Sequence, residues 1–223
     1  MATSGSYLVT DEGKPRVNGE TLSYPSLSSL CFERPLGCGV MGGVFLATDE
    51  DQNRVAVKFY DKANLPWEAR KKKAEAEHKT LDLLGGVSSF VDAYRIEFDC
   101  PYPYIVLEYV AGRNLREWLK QENGPGLEPR RRVWSQVSDA LRSAHGQASF
   151  VHGDVRSENV LVDEAGTVKI LDPKRGRDGK KDWHKLWALA RELFGDGFSH
   201  EGLLSYLDTL TEIDRRVRGL AGR

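Results

Sequence analysis

The alternation of apolar and polar residues changes character near residue 110 of the chain. Before that point, short runs rich in β-branched and aromatic residues are separated by glycine-rich or charged turns, a pattern typical of strands. A stretch rich in Ala, Glu, Lys and Leu from Pro66 to Leu84 predicts one helix, ended by Gly85 and Gly86. The predicted strands lie in five segments: CFERPLG, GGVFLAT, RVAVKFY, SSFVDAYRIEFD and YPYIVLEYV.

Beyond Gly112 the apolar residues recur at helical spacing. Two helices are predicted in RNLREWLKQEN and PRRRVWSQVSDALRSAHG, then a short strand pair in NVLVDEAGTVKIL and an amphipathic helix in DWHKLWALARELF. We therefore predict an α+β fold with two lobes. Residues 1–29 form an N-terminal extension, residues 30–110 a β-rich N-lobe, and residues 111–223 an α-rich C-lobe. The last part of the C-lobe is a predicted helical tail that could pack on the lobe or bind a partner, and its leucines favour packing.

Composition narrows the classes of partner. A net charge of -1 and a pI near 6.5 argue against a general nucleic-acid or membrane binder, because such proteins usually carry a basic excess. The three cysteines are widely spaced and lack a CxxC pair, which favours a reducing compartment. The N-terminus lacks the features of a signal peptide, and no apolar run approaches the ~20 residues that span a bilayer. We expect a cytoplasmic protein.

The segment LGCGVMGGV places Gly37, Gly39 and Gly42 in the pattern G-x-G-x-x-G-x-V, which ends at Val44. Glycines let a backbone approach phosphates closely. The signal is weak alone, because a dinucleotide-binding fold would place a helix directly after the glycines, whereas a strand is predicted here. Without other matches, a flexible turn would be the favoured explanation of this segment.

A second motif, V-A-V-K, ends at Lys58, which is the one charge in the otherwise apolar run VAVKFY. Its ammonium group is suited to phosphates held by the glycine-rich segment. Glu77 lies at helical offsets from Ala74, Leu81 and Leu84, so we expect it on the inward face of the predicted helix. Glu77 is therefore the predicted partner of Lys58.

The segment VHGDVRSENVLV concentrates polar residues just before a strand, and here the sequence resembles the protein kinase superfamily over roughly residues 30–195. Its catalytic motif H-R-D-L-x-x-x-N appears from His152 to Asn159. The resemblance implies that Asp154 orients the attacking hydroxyl and takes its proton. It also implies that Asn159 and Asp172, in KILDP, bind Mg²⁺, and that Arg156 offers a cation to the γ-phosphate.

The resemblance further implies ATP as the phosphoryl donor, with adenine over Ala56. Backbone groups near Glu108 and Val110 are expected to bind the adenine edge, with Leu107 behind it. Asp182 resembles the family's buried aspartate that braces the catalytic motif, although a helix N-terminal acid is an equal alternative. His152 could instead belong to a metal-hydrolase site, but no second histidine motif accompanies it, which favours a structural histidine.

The sequence departs from typical protein kinases after Asp172. Pro173 and Lys174 replace the Phe and Gly of D-F-G, few residues separate Asp172 from Asp182, and no A-P-E motif follows. The C-lobe is therefore reduced, and more than one class of acceptor fits the sequence. A basic cluster there suits an acidic peptide, a phosphorylated metabolite or RNA, or is a solvated loop; it comprises Lys174, Arg175, Arg177, Lys180 and Lys181.

We predict an ATP- and Mg²⁺-dependent kinase that phosphorylates protein Ser/Thr hydroxyls. One alternative is a small-molecule kinase resembling the aminoglycoside and choline kinases, in which H-G-D is common. The other is a pseudokinase scaffold that binds ATP without transfer. The expected partners are ATP and a protein or small-molecule hydroxyl acceptor, which could itself be acidic or phosphorylated. No membrane is expected, and a nucleic-acid partner is not favoured.

Overall fold

The computed structural model describes residues 7–146, 151–174 and 180–195. Within them the chain divides into two compact units. The first unit contains the described residues up to Asp82 together with Asp92–Tyr109. The second contains Leu83–Val91 and the described residues from Val110 onward.

The first unit opens with a small antiparallel sheet in the order β1-β2-β3. Its strands are β1 (Tyr7–Val9), β2 (Pro15–Val17) and β3 (Glu20–Thr21), and a 3-10 turn follows at Pro25–Leu27. Val17, Leu22 and Leu27 are buried in the same core as Phe32 and Phe45. The segment before residue 30 therefore supplies part of the hydrophobic core of this unit.

Five antiparallel strands form the main sheet of the first unit, in the order β4-β5-β6-β8-β7. They are β4 (Cys31–Cys38), β5 (Gly43–Thr48), β6 (Arg54–Phe59), β7 (Ala93–Glu97) and β8 (Tyr104–Glu108). Helix α1 (Trp67–Leu84) runs between β6 and β7. The five strands predicted from residue 31 onward and the one helix are thus present, with Pro66 directly before α1, whereas β1–β3 are additional to the five strands predicted before Gly112.

The second unit is built from helices around a three-stranded antiparallel sheet in the order β11-β10-β9. Its elements are β9 (Gly112–Asn114), α2 (Leu115–Leu119), α3 (Leu127–Gly146), β10 (Val160–Asp163), β11 (Val168–Ile170) and α4 (Lys180–Phe194). The predicted strand pair is confirmed as β10 and β11, whereas β9 was not predicted. The helix predicted from Arg113 to Asn123 is observed only from Leu115 to Leu119. It begins after Asn114 because that residue caps α2 by accepting from the amide of Glu117.

The core of the second unit joins α3, α4 and the small sheet. Val133, Val137 and Leu141 of α3 are buried in it, as the helical spacing predicted, together with Leu186 and Leu193 of α4. Among the described residues, no helix has both the length and the apolar character required to cross a membrane.

Candidate active site

The glycine-rich segment forms a tight connection between β4 and β5. The amide of Gly39 donates to the carbonyl of Gly42 at 2.9 Å, and β5 begins at the next residue. A strand thus follows the glycines, as the sequence predicted. Gly42 has a φ of 155°, and a Cβ there would lie 1.9 Å from Oδ1 of Asp61 and 2.1 Å from the carbonyl oxygen of Phe59. Only glycine fits at this position.

Lys58 and Glu77 form a nearly buried ion pair within the first unit. Nζ of Lys58 lies 2.8 Å from Oε1 and 2.9 Å from Oε2 of Glu77. The hydroxyl of Tyr60 donates to the same Oε2 at 2.6 Å, and the Lys58 ammonium lies 5.5 Å from the centre of the Tyr60 ring. The predicted partnership of Lys58 and Glu77 is therefore present, with Tyr60 as an additional member.

The strand that carries Lys58 presents two different faces. Val57 and Phe59 lie in the hydrophobic core of the first unit, so Ala56 and Lys58 lie on the opposite face of the sheet by strand alternation. Val44 is paired directly opposite Lys58 in the antiparallel register, which places its side chain on that same face. The sheet therefore collects these three predicted nucleotide-contacting residues on one surface.

Glu108 and Val110 lie at the end of β8 and just after it. The amide of Glu108 donates to the carbonyl of Asp92 at 2.9 Å, and its carboxylate accepts from the Asp92 amide at 3.2 Å. The carbonyl of Val110 accepts from the amide of Gly112 at 2.9 Å. Adenine binding by the backbone here stays a prediction.

Asp154 is the largely buried carboxylate of residues 151–159, which we call the catalytic loop. Nδ2 of Asn159 donates to the Asp154 carbonyl at 2.9 Å and to Oδ2 at 3.2 Å. Nζ of Lys174 donates to the same Oδ2 at 2.5 Å. Arg156, the predicted second cation, is more distant: its Nε lies 3.7 Å from Oδ2 and makes no hydrogen bond.

His152 is a fully buried structural residue of the catalytic loop. Its ring stacks on Phe90 with centroids 6.1 Å apart. Nδ1 accepts from the amide of Asp154 at 3.2 Å, so Nε2 carries the proton and donates to the carbonyl of Leu171 at 2.9 Å. Burial lowers the pKa of His152, which keeps the ring neutral. The structural interpretation of His152 is therefore confirmed.

Asp182, in the first turn of α4, braces the catalytic loop. Its carboxylate accepts from the amides of His152 at 2.7 Å and Gly153 at 2.6 Å. Nε2 of His145, on α3, lies 3.0 Å from Oδ2 of Asp182. Gly153 has a φ of 74°, a left-handed conformation that glycine adopts readily. Of the two alternatives for Asp182, the bracing role is the one that the contacts support.

Asp172 and Asn159 lie on neighbouring segments of the second unit. The amide of Leu171 donates to the carbonyl of Asn159 at 2.8 Å. Asp172 itself has a φ of 55°, which is uncommon outside glycine and tends to occur at functional sites. An amide oxygen and a carboxylate are the hard donors that suit Mg²⁺, which keeps several waters and binds phosphate oxygens as well. The residues present fit this ion.

Part of the predicted basic cluster cannot be placed. Arg175 and Arg177 lie outside the described residues, as do the side chains of Lys180 and Lys181 and the predicted tail after residue 195. Lys174 is the described member, and it contacts Asp154 as given above.

Comparison with known families decides the class of this site. A model of the protein kinase domain matches residues 31–174, which is more than half of the chain. The chain belongs to the protein kinase domain family. The match includes the glycine-rich connection, Lys58, Glu77 and the catalytic loop, and it ends at Lys174. Members of this family generally use ATP and Mg²⁺.

Individual protein kinases show the same similarity. The chain is 34% identical to the serine/threonine-protein kinase PrkC of Bacillus subtilis over 62% of its own length. It is 32% identical over 61% of its length to a probable serine/threonine-protein kinase, PknB, of Corynebacterium glutamicum. It is 31% identical over 66% to an Aurora kinase of Patiria pectinifera. The chain covers 21%, 22% and 36% of these relatives, respectively, so it spans well under half of their lengths.

Three contacts of this kinase domain were not anticipated from the sequence. The position of Tyr60 could have been predicted from the sequence, because it follows Lys58 by two residues and strand alternation places both side chains on one face. The inward direction of His145 could also have been predicted, since it lies four residues after the buried Leu141 on the same face of α3. The contact between Lys174 and Asp154 could not have been predicted from local sequence, because it joins residues twenty apart that approach each other only in the folded unit.

Proposed function

We propose that this chain is an ATP- and Mg²⁺-dependent protein kinase that phosphorylates serine or threonine hydroxyls. Membership of the kinase family and the names of the relatives support a protein acceptor, and they do not favour the small-molecule alternative. The observation that carries the proposal is the arrangement of Asp154, one carboxylate oxygen of which accepts from Asn159 of the catalytic loop and from Lys174 beyond it. A pseudokinase scaffold would not need that arrangement.

Asp154 would act as the proton acceptor of the reaction. The acceptor hydroxyl oxygen attacks the γ-phosphorus of ATP, the bond from phosphorus to the β–γ bridging oxygen breaks, and ADP leaves. The hydroxyl proton passes to the Asp154 carboxylate. Oδ2 accepts from Lys174 and Asn159, whereas Oδ1 accepts no hydrogen bond from a described residue. Oδ1 is therefore the atom suited to receive the proton.

The first unit would hold the triphosphate. Lys58 is fixed by both oxygens of Glu77, so its ammonium is presented to phosphate in one position rather than many. The transition state of phosphoryl transfer is loose, which makes positioning and charge stabilisation the main contributions of the protein. Asn159 and Asp172 would bind Mg²⁺, which neutralises phosphate charge when bound.

The decisive experiment compares the wild type with Asp154→Asn, using γ-labelled ATP, Mg²⁺ and generic protein substrates such as casein and myelin basic protein. We expect phosphoserine or phosphothreonine in the acid-precipitated protein, reduced by about 10²–10⁴-fold in the variant. Thermal shift with Mg-ATP shows whether the variant still binds the nucleotide. ATP binding without Asp154-dependent labelling of protein would reject a protein kinase of this kind.

We also propose a cytoplasmic location, which the three free thiols support: Cys31 and Cys38 are exposed and Cys100 is buried. Burial raises the pKa of Cys100 to about 11, so this thiol is unreactive in the folded chain. Fractionation of the native source cells, with thiol trapping, tests the proposal. Recovery in an oxidising compartment with the cysteines disulfide-bonded would contradict it.

A further inference from the structure

Asp61 is a buried carboxylate that the phosphoryl-transfer chemistry does not use. It lies two residues after β6 and is only 1% exposed. Its Oδ2 accepts from the hydroxyl of Tyr7 at 2.8 Å, and its Oδ1 accepts from the amide of Gly43 at 3.0 Å. Burial raises its pKa despite these hydrogen bonds. Burying a carboxylate costs free energy unless hydrogen bonds compensate, so the contacts from Tyr7 and Gly43 offset the cost of placing Asp61 here.

The backbone of Asp61 also holds the glycine-rich connection. The amides of Asp61 and Lys62 both donate to the carbonyl of Met41, at 3.1 and 3.2 Å. Met41 lies between Gly39 and Gly42, at the turn itself. Two backbone groups of the connection are therefore bonded to the Asp61 segment: the Met41 carbonyl, which accepts these two amides, and the Gly43 amide, which donates to the Asp61 carboxylate.

The packing around these bonds leaves no space for side chains. A Cβ on Gly42 would overlap Oδ1 of Asp61, and a Cβ on Gly43 would lie 2.5 Å from the Tyr7 ring. The two glycines therefore allow direct contact between the turn backbone, a carboxylate and an aromatic ring. Gly43 is not part of the G-x-G-x-x-G pattern, so phosphate binding does not explain its small size.

Two side chains of the small N-terminal sheet contact Asp61. Tyr7 lies on β1 and also packs edge-on against Phe45, with centroids 6.2 Å apart. Asn18, in the turn between β2 and β3, donates from Nδ2 to the carbonyl of Asp61 at 3.0 Å. Both contacts join residues more than forty positions apart in sequence. They make the N-terminal sheet a neighbour of the glycine-rich connection.

We propose that Asp61 is a positioning residue for the glycine-rich connection, and that Tyr7 and Asn18 of the N-terminal sheet hold it in place. The clamp formed by these three residues fixes the backbone from Met41 to Gly43 before nucleotide arrives. The inference rests on the proposed function, because the expected benefit is tighter binding of ATP. Ordering the backbone in advance reduces the entropy that binding must remove.

The test compares Asp61→Ala with Asp61→Asn, which can still accept from Gly43 and pair with Tyr7, and with Tyr7→Phe. Asp51→Ala, at the exposed turn between β5 and β6, is the matched control. We expect Asp61→Ala to raise the Kd and KM for ATP about tenfold, with kcat at saturating ATP within about twofold. Asp61→Asn should recover most of the affinity, and Tyr7→Phe should fall between the two.

Hydrogen exchange without nucleotide provides a readout that does not need activity. Amides of Gly39, Gly43 and Lys62 should lose protection in Asp61→Ala and keep it in Asp51→Ala. Unchanged protection, or unchanged Kd in the folded fraction of Asp61→Ala, would overturn the clamp and leave Asp61 a stability residue. If the wild type bound no ATP while protection still depended on Asp61, the proposed function would fail and the ordering of the turn would stand.

Discussion

Lys174 donates to Oδ2 of Asp154 at 2.5 Å, although its side chain is 61% exposed. It lies two residues after Asp172, at the position that typical protein kinases fill with glycine. Its amide is fixed as well, donating to the carbonyl of His152 at 2.9 Å. The lysine that replaces the usual glycine thus places a positive charge beside the predicted catalytic base.

We expect Lys174→Met to lower kcat by about tenfold or more. The change removes the closest charged partner of Asp154, and it removes a positive charge that would stabilise the transferred phosphoryl group. The KM for ATP should change little, and Lys174→Arg should restore part of kcat. Lys185→Met, an exposed lysine on α4, is the control. A higher kcat in Lys174→Met would mean that Lys174 inhibits Asp154 rather than assisting it.

The Lys58–Glu77 pair allows stability and function to be separated. Glu77→Gln leaves a nearly buried ammonium without its counter-charge, which should cost about 3 kcal/mol of unfolding free energy, measured by urea denaturation. The double variant Lys58→Met, Glu77→Met removes both charges and should regain much of that loss. It should nevertheless fail to bind ATP in a thermal shift assay. Wild-type ATP affinity in the double variant would refute the role of Lys58.

Much of this fold could be predicted because its signals are local. The strands β4–β8, helix α1 and the inward direction of Glu77 follow from residue periodicity, and the catalytic loop follows from one motif. Strand β9 was missed because Gly112, Arg113 and Asn114 have little β propensity and pair with β10 only in the folded unit. The Tyr7–Asp61 and Lys174–Asp154 contacts were missed because their partners are distant in sequence and meet only in the folded unit.

Gly42 and Gly39 differ in what they tolerate. A Cβ at Gly42 would meet Asp61 and the backbone of Phe59, whereas the nearest atom to a Cβ at Gly39 is 3.9 Å away. Gly42→Ala should therefore reduce stability by about 1–3 kcal/mol, and Gly39→Ala should stay within about 0.5 kcal/mol of the wild type. Chemical denaturation of both variants checks this. Equal stabilities would show that the backbone can move away from Asp61 at little cost.

His152 makes the stability of the second unit depend on pH. Desolvation by burial lowers the pKa of His152 below its usual 6.5, and it outweighs the opposite effects of Asp182, the Leu171 carbonyl, Asp154 and Asp172. Because the unfolded chain then binds a proton more readily than the folded chain, stability is present above pH 6.5 and is lost as the pH falls toward the folded pKa.

The expected loss from this one group is at most about 1.4 kcal/mol per pH unit. NMR titration of the imidazole in the wild type gives its folded pKa directly, with the exposed His184 as the internal comparison. Replacing His152 by Gln should flatten the dependence of unfolding free energy on pH between about 7 and 5.5. A folded pKa above 6.5 would mean that the nearby carboxylates outweigh burial, and the slope would then reverse.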